Sequence, residues 1–228
     1  MPLTNQYKKV RDCVVQVVAL NGQNIVGSGS GSVIGAGNHV LTCDHCIVDG
    51  AQMAIIDPAN STNGIHGNVI FRDSNSDIAI LEFTNVVGKP VVFSDSSNCE
   101  VGNGAFVVGY PMNIMEQVLL SAHIASITTS LIRIDSSVNH GNSGGPLFNL
   151  AGEQIGVVNA KHGSLSNYLN QLMNAKPTMS MQVGGIDPVQ SIQVLIGEMQ
   201  KNLNLGIGYA VPSKVIKQLH PMLTKLIP

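Results

Sequence analysis

The chain has 228 residues, enough for one large domain or two small ones with a sizeable core. Its 12 Lys and Arg against 14 Asp and Glu give a formal net charge of -2, which argues against a nucleic-acid partner. Only 11% of the residues are charged, whereas Gly (24 residues), Val, Ile, Ser and Asn are frequent, a composition typical of short strands joined by turns.

The start of the chain, residues 1–9, is polar, and no apolar run of about 18 residues occurs anywhere in the sequence. The sequence therefore predicts neither a signal peptide nor a membrane span, and it predicts a cytoplasmic location. Four cysteines (Cys13, Cys43, Cys46 and Cys99) do not by their number indicate a disulfide framework in a chain of this size.

Short apolar segments separated by turn residues fill the first 90 residues. The segment 14–20 ends at Asn21-Gly22, a hairpin signal. The stretch 27–32 alternates Gly and Ser and is compatible with a linker, but Val33-Ile34 follows at once and favours a strand. Further strands are predicted at 39–42, 53–57, 67–71 and 78–83. Six strands are enough to close a small barrel.

A second series of strands follows the polar link 94–98. It comprises the segments 105–108, 118–122, 124–128, 131–135, 145–148, 154–159 and 208–211. A helix is predicted to begin at Ser213, because apolar residues recur near helical spacing up to Leu226, with an interruption at Pro221.

The run 139–147, Asn-His-Gly-Asn-Ser-Gly-Gly-Pro-Leu, places a serine between glycines. A serine hydroxyl is a poor nucleophile unless a base removes its proton and donors stabilise the oxyanion that forms. Glycines let the backbone turn so that the amides of Gly141 and Ser143 point into one small hole. A Ser/Gly/Pro-rich turn without function is the alternative interpretation.

Two upstream motifs decide between these interpretations. Residues 40–45 (VLTCDH), 76–81 (SDIAIL) and 141–146 (GNSGGP) together resemble the motifs of trypsin-like serine proteases, most closely the HtrA/DegP branch. In that superfamily the catalytic residues follow in the order His, Asp, Ser. Segments 148–157 and 206–213 match as well, so the resemblance covers roughly 25–160 and 204–220.

The resemblance implies an all-β, chymotrypsin-like fold of two six-stranded antiparallel barrels within a single peptidase domain, 1–228. The N-terminal barrel would span 10–93, the C-terminal barrel 100–212, and a C-terminal helix 213–227. A partly helical insertion at 162–205 stands where the family has a short loop, and Asp187-Pro188 predicts a helix start within it. A surface helical pair, a lid and a subunit interface are the alternatives for this insertion.

The resemblance also implies the role of each site residue. His45 would be the general base, Asp77 would orient its ring, and Ser143 would be the nucleophile. The oxyanion hole would be formed at Gly141, Asn142 and Ser143, with the amides of the first and last as donors. Asp49 and Asp73 are competing carboxylates that are more typical of turns.

Substrate choice is less defined by the sequence. The resemblance places Ser137 and Val138 at the base of a substrate-binding pocket and Asn159, Ala160 and Lys161 on its wall. Such pockets favour small or medium apolar side chains. Lys161 either favours an acidic substrate residue or extends outward into solvent.

The thiols of Cys43 and Cys46 flank His45 closely. Buried small side chains, a thiol pair that responds to oxidants, and a zinc site are the three alternatives. No second Cys-x-x-Cys pair completes a zinc site, so the buried thiols are favoured.

The sequence thus predicts a serine endopeptidase that works through an acyl-enzyme intermediate, without a metal or other cofactor. Its expected partner is a polypeptide substrate, with neither nucleic acid nor membrane, and a homo-oligomer is left open. The alternatives are a low-turnover chaperone-like or peptide-binding module on the same fold, and a self-processing protease. The resemblance is to the peptidase domain of these proteins, and the sequence is expected to lack the PDZ domain that many of them carry.

Overall fold

The computed structural model describes residues 3–57, 60–111, 116–159, 187–202 and 206–227. The predicted all-β class is confirmed, because strands dominate and the helices are few. The strands are β1 (Val14–Asn21), β2 (Asn24–Ile34), β3 (His39–Thr42), β4 (Gln52–Asp57), β5 (Asn60–His66), β6 (Asn68–Asp73), β7 (Ile78–Glu82), β8 (Gly104–Gly109), β9 (Val118–Ile127), β10 (Ile132–Ile134), β11 (Pro146–Asn149), β12 (Gln154–Val158) and β13 (Gly208–Pro212). The helices are α1 (Thr4–Val10), α2 (Pro188–Asn202), α3 (Ser213–Leu219) and α4 (Pro221–Leu226).

The N-terminal half is one antiparallel sheet in the order β5-β4-β1-β2-β3-β7-β6. Among the described residues this sheet is a half-barrel of seven strands, not the closed six-stranded barrel that was expected. The additional strand, β5, extends β4 from Asn60 to His66. Its sequence, NSTNGIH, lacks apolar alternation, so the sequence pattern gave no signal for a strand there.

The C-terminal half is a closed antiparallel barrel in the order β10-β13-β12-β11-β8-β9, as predicted. The segments 118–122 and 124–128, predicted as separate strands, form the single strand β9. His123 joins them, since it pairs with Gly104 of β8 and keeps the ladder continuous.

Three apolar clusters hold these elements together, and the alternation of strand side chains distributes residues among them. On β7, Ala79 and Leu81 lie in the core of the N-terminal sheet, whereas Ile78 and Ile80 lie in a cluster between the two halves. We call this the interface cluster. Its members are Val10, Cys13, Val14, Ile34, Leu41, Cys43, Cys46, Ile78, Ile80, Val91, Phe106, Val108, Phe148, Val157, Val211, Ile216, Leu223 and Ile227.

The predicted C-terminal helix is present as two helices, α3 and α4, which are separated at His220. His220 has extended backbone angles (φ -159°, ψ 144°), because a residue before proline is disfavoured in the helical region and Pro221 follows. Ile216 of α3 and Leu223 of α4 are both fully buried in the interface cluster. The helices therefore close one side of the junction between the two halves.

The helix start predicted at Asp187-Pro188 is confirmed by α2. Asp187 Oδ1 accepts hydrogen bonds from the backbone N–H groups of Val189 (2.9 Å) and Gln190 (3.2 Å). Within α2, Ile196 is buried, whereas four apolar residues are exposed: Val189, Ile192, Val194 and Leu195. The rest of the insertion, 162–186 and 203–205, lies outside the described residues. Among the helices in the described ranges, none is both long and apolar enough to span a bilayer.

Candidate active site

Ser143 lies in the loop before β11 and is 3% exposed. Gly141 and Gly144 on either side have φ of 92° and 84°, a region in which a side chain would be strained. A Cβ atom at Gly144 would also lie 2.2 Å from Thr42 Oγ1. The backbone conformation therefore favours glycine at both positions, and the neighbouring strand β3 also excludes a side chain at Gly144. The Asn142 side chain is buried and does not reach solvent.

His45 and Asp77 form a hydrogen-bonded pair. His45 lies in the 3₁₀ turn Asp44–Cys46 directly after β3, and its Nδ1 is 2.7 Å from Asp77 Oδ2. The backbone N–H of His45 also donates to Asp77 Oδ1 at 2.9 Å. Both oxygens of one carboxylate thus hold the same histidine. Of the competing carboxylates, Asp49 lies in a turn and contacts Arg72, whereas Asp73 ends β6 and accepts from the backbone N–H of Asn75.

Asp77 has an unusual backbone conformation. It is the only non-glycine residue with positive φ (56°) among the residues that the structure describes. Aspartate tolerates this left-handed region better than most residues, although the conformation still carries strain. The strain is located at the residue whose side chain contacts His45, and Asp77 is only 9% exposed.

Asn159 makes a contact that the sequence analysis did not anticipate. Its Nδ2 donates a 2.6 Å hydrogen bond to Asp77 Oδ2, the same oxygen that contacts His45 Nδ1. The side chain predicted in the wall of a substrate pocket is therefore turned inward and is 2% exposed, which leaves only the backbone of Asn159 for such a wall. The one sequence signal for the contact with Asp77 was that Asn159 is a polar residue directly after the buried strand β12.

The two halves of the chain meet at these residues. His45 and Asp77 come from the N-terminal sheet, whereas Ser143 and Asn159 come from the barrel. The backbone N–H of Ser30 on β2 donates to the Ser143 carbonyl at 2.8 Å, and Cys46 Sγ lies 3.6 Å from the same oxygen. These contacts set the histidine turn against the serine loop across the interface between the halves.

Asp44, the residue before His45, ties the histidine turn to β6. Its carboxylate accepts from Arg72 Nε at 2.5 Å and from Ser74 Oγ at 2.8 Å. Burial alone would raise the pKa of the Asp44 carboxyl, but these hydrogen bonds outweigh it and hold that pKa below its usual value. Asp44 is therefore ionised at neutral pH and anchors the turn through Arg72.

All four cysteines are free. The thiol of Cys43, the ring of His45 and the carboxylate of Asp77 lie within 4.8 Å of one another, a spacing that a metal ion can use. However, His45 and Asp77 are hydrogen bonded to each other, and burial raises the pKa of the Cys43 thiol, which opposes the thiolate that a metal requires. The donor set therefore fits a metal poorly, and the favoured interpretation of Cys43 is a buried thiol.

The remaining predicted pocket residues are only partly described. Ser137 is exposed, and Val138 is buried against Gly208 at the start of β13. Ala160 and Lys161 lie outside the described residues. The substrate-binding role of these positions stays a prediction.

Curated relatives of the chain are bacterial proteases. The chain is 29% identical over 200 residues to a protein of Pseudomonas fulva named "probable periplasmic serine endoprotease DegP-like". This match covers 81% of this chain and 41% of the relative. The chain is 34% identical over 142 residues to a protein of the same name from Brucella suis, which covers 58% of this chain and 27% of the relative. The chain thus spans less than half the length of these relatives.

The predicted cytoplasmic location is wrong, because these relatives are named periplasmic proteins. The prediction relied on the polar residues at the start of the sequence. A secretion signal is removed from a mature chain, so the first residues of a chain do not report its location.

Solved structures and a family model agree with the fold. An HtrA-type protease, AlgW with tripeptide, matches with a TM-score of 0.67 at 19% identity, over 94% of this chain and 61% of that one, a likeness that supports the fold alone. Deg5 matches with a TM-score of 0.60 at 26% identity, over 69% of this chain and 83% of that one. The model of the trypsin-like peptidase domain matches residues 29–157, more than half of the sequence and a range that contains His45, Asp77 and Ser143. The chain belongs to the trypsin-like peptidase family.

Proposed function

We propose that this protein is a serine endopeptidase in which His45, Asp77 and Ser143 form the catalytic triad. The observation that carries the proposal is the doubly hydrogen-bonded Asp77–His45 pair set against a serine whose loop is bracketed by glycines of positive φ. A histidine held in this way presents one defined tautomer, with Nδ1–H donated to the carboxylate and Nε2 available as a base.

In the proposed reaction, His45 takes the proton of the Ser143 hydroxyl as the oxygen attacks the substrate carbonyl. Asp77 stabilises the imidazolium that results, and Asn159 in turn holds the Asp77 carboxylate. The amides of Gly141 and Ser143 donate to the developing oxyanion. His45 then returns its proton to the leaving amine, and water hydrolyses the acyl-enzyme by the same route. These steps require no cofactor.

We propose a polypeptide as the substrate and, following the names of the relatives, the periplasm as the location. Ser137, Val138, Ala160, Lys161 and the backbone of Asn159 are the proposed pocket residues. We further propose a single peptidase domain over 1–228, with halves at 10–93 and 100–212, the insertion 162–205 beside the pocket, and the C-terminal helical segment 213–227.

Reaction with a fluorophosphonate tests the proposal, because the probe reports an activated serine when the substrate is unknown. Labelling is expected at Ser143, mapped by mass spectrometry, and is expected to be lost in Ser143→Ala and His45→Ala. His123→Ala is the matched control. His123 also pairs with an aspartate, Asp135, but on the surface, where both side chains are more than half exposed.

Incubation with an unfolded protein then tests endopeptidase activity. Internal cleavage that disappears in Ser143→Ala is the expected result. A folded wild-type chain that takes no label would overturn the triad. A chain that is labelled at Ser143 but leaves the unfolded protein intact would retain an activated serine and refute the endopeptidase assignment.

A further inference from the structure

Ser30 on β2 is fully buried and makes hydrogen bonds through both its side chain and its backbone. Its Oγ donates to the Gly141 carbonyl at 2.7 Å and accepts from the Tyr110 backbone N–H at 2.8 Å. Its backbone N–H donates to the Ser143 carbonyl at 2.8 Å, and its carbonyl accepts from Thr42 Oγ1 at 2.8 Å. Ser30 therefore holds both residues whose amides are the proposed oxyanion donors.

Gly141 needs such an external restraint. A glycine is less restricted in φ and ψ than any other residue, so its own backbone does little to fix the direction of its N–H group. Gly141 has φ of 92°, and its carbonyl is the acceptor of the Ser30 hydroxyl. Holding the carbonyl of Gly141 restricts its backbone angles and so limits the directions that its amide can take.

The Ser30 hydroxyl is itself held in one orientation. The Tyr110 N–H uses its acceptor side, which leaves its proton for Gly141. The backbone also approaches Ser30 closely at two glycines. A Cβ at Gly109 would lie 2.8 Å from Ser30 Oγ, and a Cβ at Gly145 would lie 3.1 Å from Ser30 Cβ. The hydroxyl thus has little room for a second rotamer.

Ser32 shows that burial on β2 does not by itself produce these contacts. It lies two residues further along the same strand and is also fully buried, yet its Oγ has no hydrogen-bond partner among the described residues. The contacts of Ser30 are specific to its position opposite the serine loop.

We propose that Ser30 is a positioning residue of the oxyanion hole, which holds the Gly141 amide in its donating direction from across the interface between the two halves. The proposal rests on the proposed function, because it assigns Ser30 a part in stabilising the same oxyanion. Ser30 itself does not touch the substrate.

The test is the second-order rate constant for fluorophosphonate labelling in Ser30→Ala, with Ser32→Ala as the matched control. Removal of an oxyanion donor typically costs about 100- to 1000-fold in rate. Ser30→Ala leaves the donors present but unanchored, so we expect a loss of about 10- to 100-fold. Ser32→Ala is expected to stay within about twofold of wild type, since its hydroxyl makes no hydrogen bond within the part of the chain that the structure describes.

Two further readouts separate positioning from a merely structural role. A structural defect lowers the fraction of chains that can be labelled, whereas a misplaced donor lowers the rate constant and leaves the final labelled fraction near one. The midpoint of the pH–rate profile is expected to stay at the wild-type value, because the His45–Asp77 pair has no hydrogen bond to Ser30 Oγ among its described contacts.

A folded Ser30→Ala variant that is labelled within twofold of the wild-type rate would overturn the proposal. If Ser30→Ala does not fold, Ser30→Cys decides, because a thiol occupies the same place with a larger atom and is a weaker donor. An intermediate rate with full final labelling supports the proposal, and a wild-type rate refutes it. A wild-type chain and Ser32→Ala that both remain unlabelled would refute the proposed function instead.

Discussion

The hydrogen bond from Asn159 to Asp77 gives a quantitative prediction. Asn159→Ala removes a donor at 2.6 Å from a carboxylate that is 9% exposed, and the asparagine itself is 2% exposed. A hydrogen bond to a charged group contributes about 1.5–3 kcal/mol, and little water is available here to replace it. We therefore expect the free energy of unfolding to fall by about 2 kcal/mol.

The same substitution is expected to slow the reaction. If all of about 2 kcal/mol were lost from the transition state, the labelling rate would fall about 30-fold, since about 1.4 kcal/mol corresponds to a factor of ten. Because His45 still contacts both carboxylate oxygens, we expect only part of this loss, about tenfold. Urea unfolding and fluorophosphonate labelling measure the two effects.

Asn38→Ala is the matched control, because its amide makes a long hydrogen bond of 3.5 Å to the Phe83 carbonyl, away from the site. It should change the labelling rate by less than twofold. If Asn159→Ala kept both the stability and the rate of the wild type, Asn159 would not hold the carboxylate. Its hydrogen bond to Asp77 would then contribute to neither stability nor reaction rate.

Asp77→Asn is expected to fold, since asparagine also tolerates positive φ. Turnover is expected to fall by about 10⁴-fold, because an amide favours the wrong histidine tautomer. A loss below tenfold would mean that another group orients His45. Burial raises the pKa of Asp44, but hydrogen bonds, chiefly from Arg72, lower it by more and leave it below the ordinary value. The ionised Asp44 carboxylate therefore stabilises the fold above the ordinary carboxyl pKa of about 4, and this stabilisation is lost as the pH falls through the lowered value. In urea titrations the stability difference between wild type and Asp44→Asn should therefore shrink below about pH 4, and a difference that is constant with pH would contradict this role. Gly29→Ala should destabilise the chain by about 1–3 kcal/mol, because its Cβ would lie 2.6 Å from Cys46 Sγ. Cys46→Ala should relieve part of that cost in a double-mutant cycle, and strict additivity would show that the thiol is not the obstacle.

Most of the strands could be predicted because their side chains alternate between well-defined apolar environments. The pattern of β7, Ile-Ala-Ile-Leu, is apolar throughout because one face lies in the sheet core and the other in the interface cluster. β5 could not be predicted, since Asn60 to His66 is largely polar and the strand forms at the edge of the sheet through backbone hydrogen bonds with β4. Backbone pairing alone leaves no trace in hydrophobic periodicity.

The candidate site was predictable where chemistry and a local motif coincide. His45 follows an apolar strand and Ser143 lies between glycines that its backbone requires. The contacts of Asn159 and Ser30 depend instead on how the two halves pack, since their partners are 82 and 111 residues away along the chain. Neither residue carries a local pattern that distinguishes it from an ordinary polar residue in or beside a strand.

Packing between the halves should therefore control the rate even at positions that do not touch the site. Phe148 on β11 is fully buried in the interface cluster, where its ring stacks on Phe106 at 5.2 Å. Phe83, 2% exposed, lies in the core of the N-terminal sheet and provides the same substitution away from the interface. Phe148→Leu and Phe83→Leu should each lower the free energy of unfolding by about 1–2 kcal/mol.

Only Phe148→Leu is expected to slow labelling of Ser143, by about three- to tenfold, since a shift of the serine loop relative to the histidine turn misaligns the reacting groups. The comparison is made at a temperature where both variants are fully folded, with rate constants measured on the labelled fraction. Equal rates for the two variants would show that the hydrogen bonds of Ser30 fix the loop without help from the apolar interface. A slower rate in Phe83→Leu would contradict the division of the core into separate clusters, because a change confined to the N-terminal sheet would then have reached the serine loop.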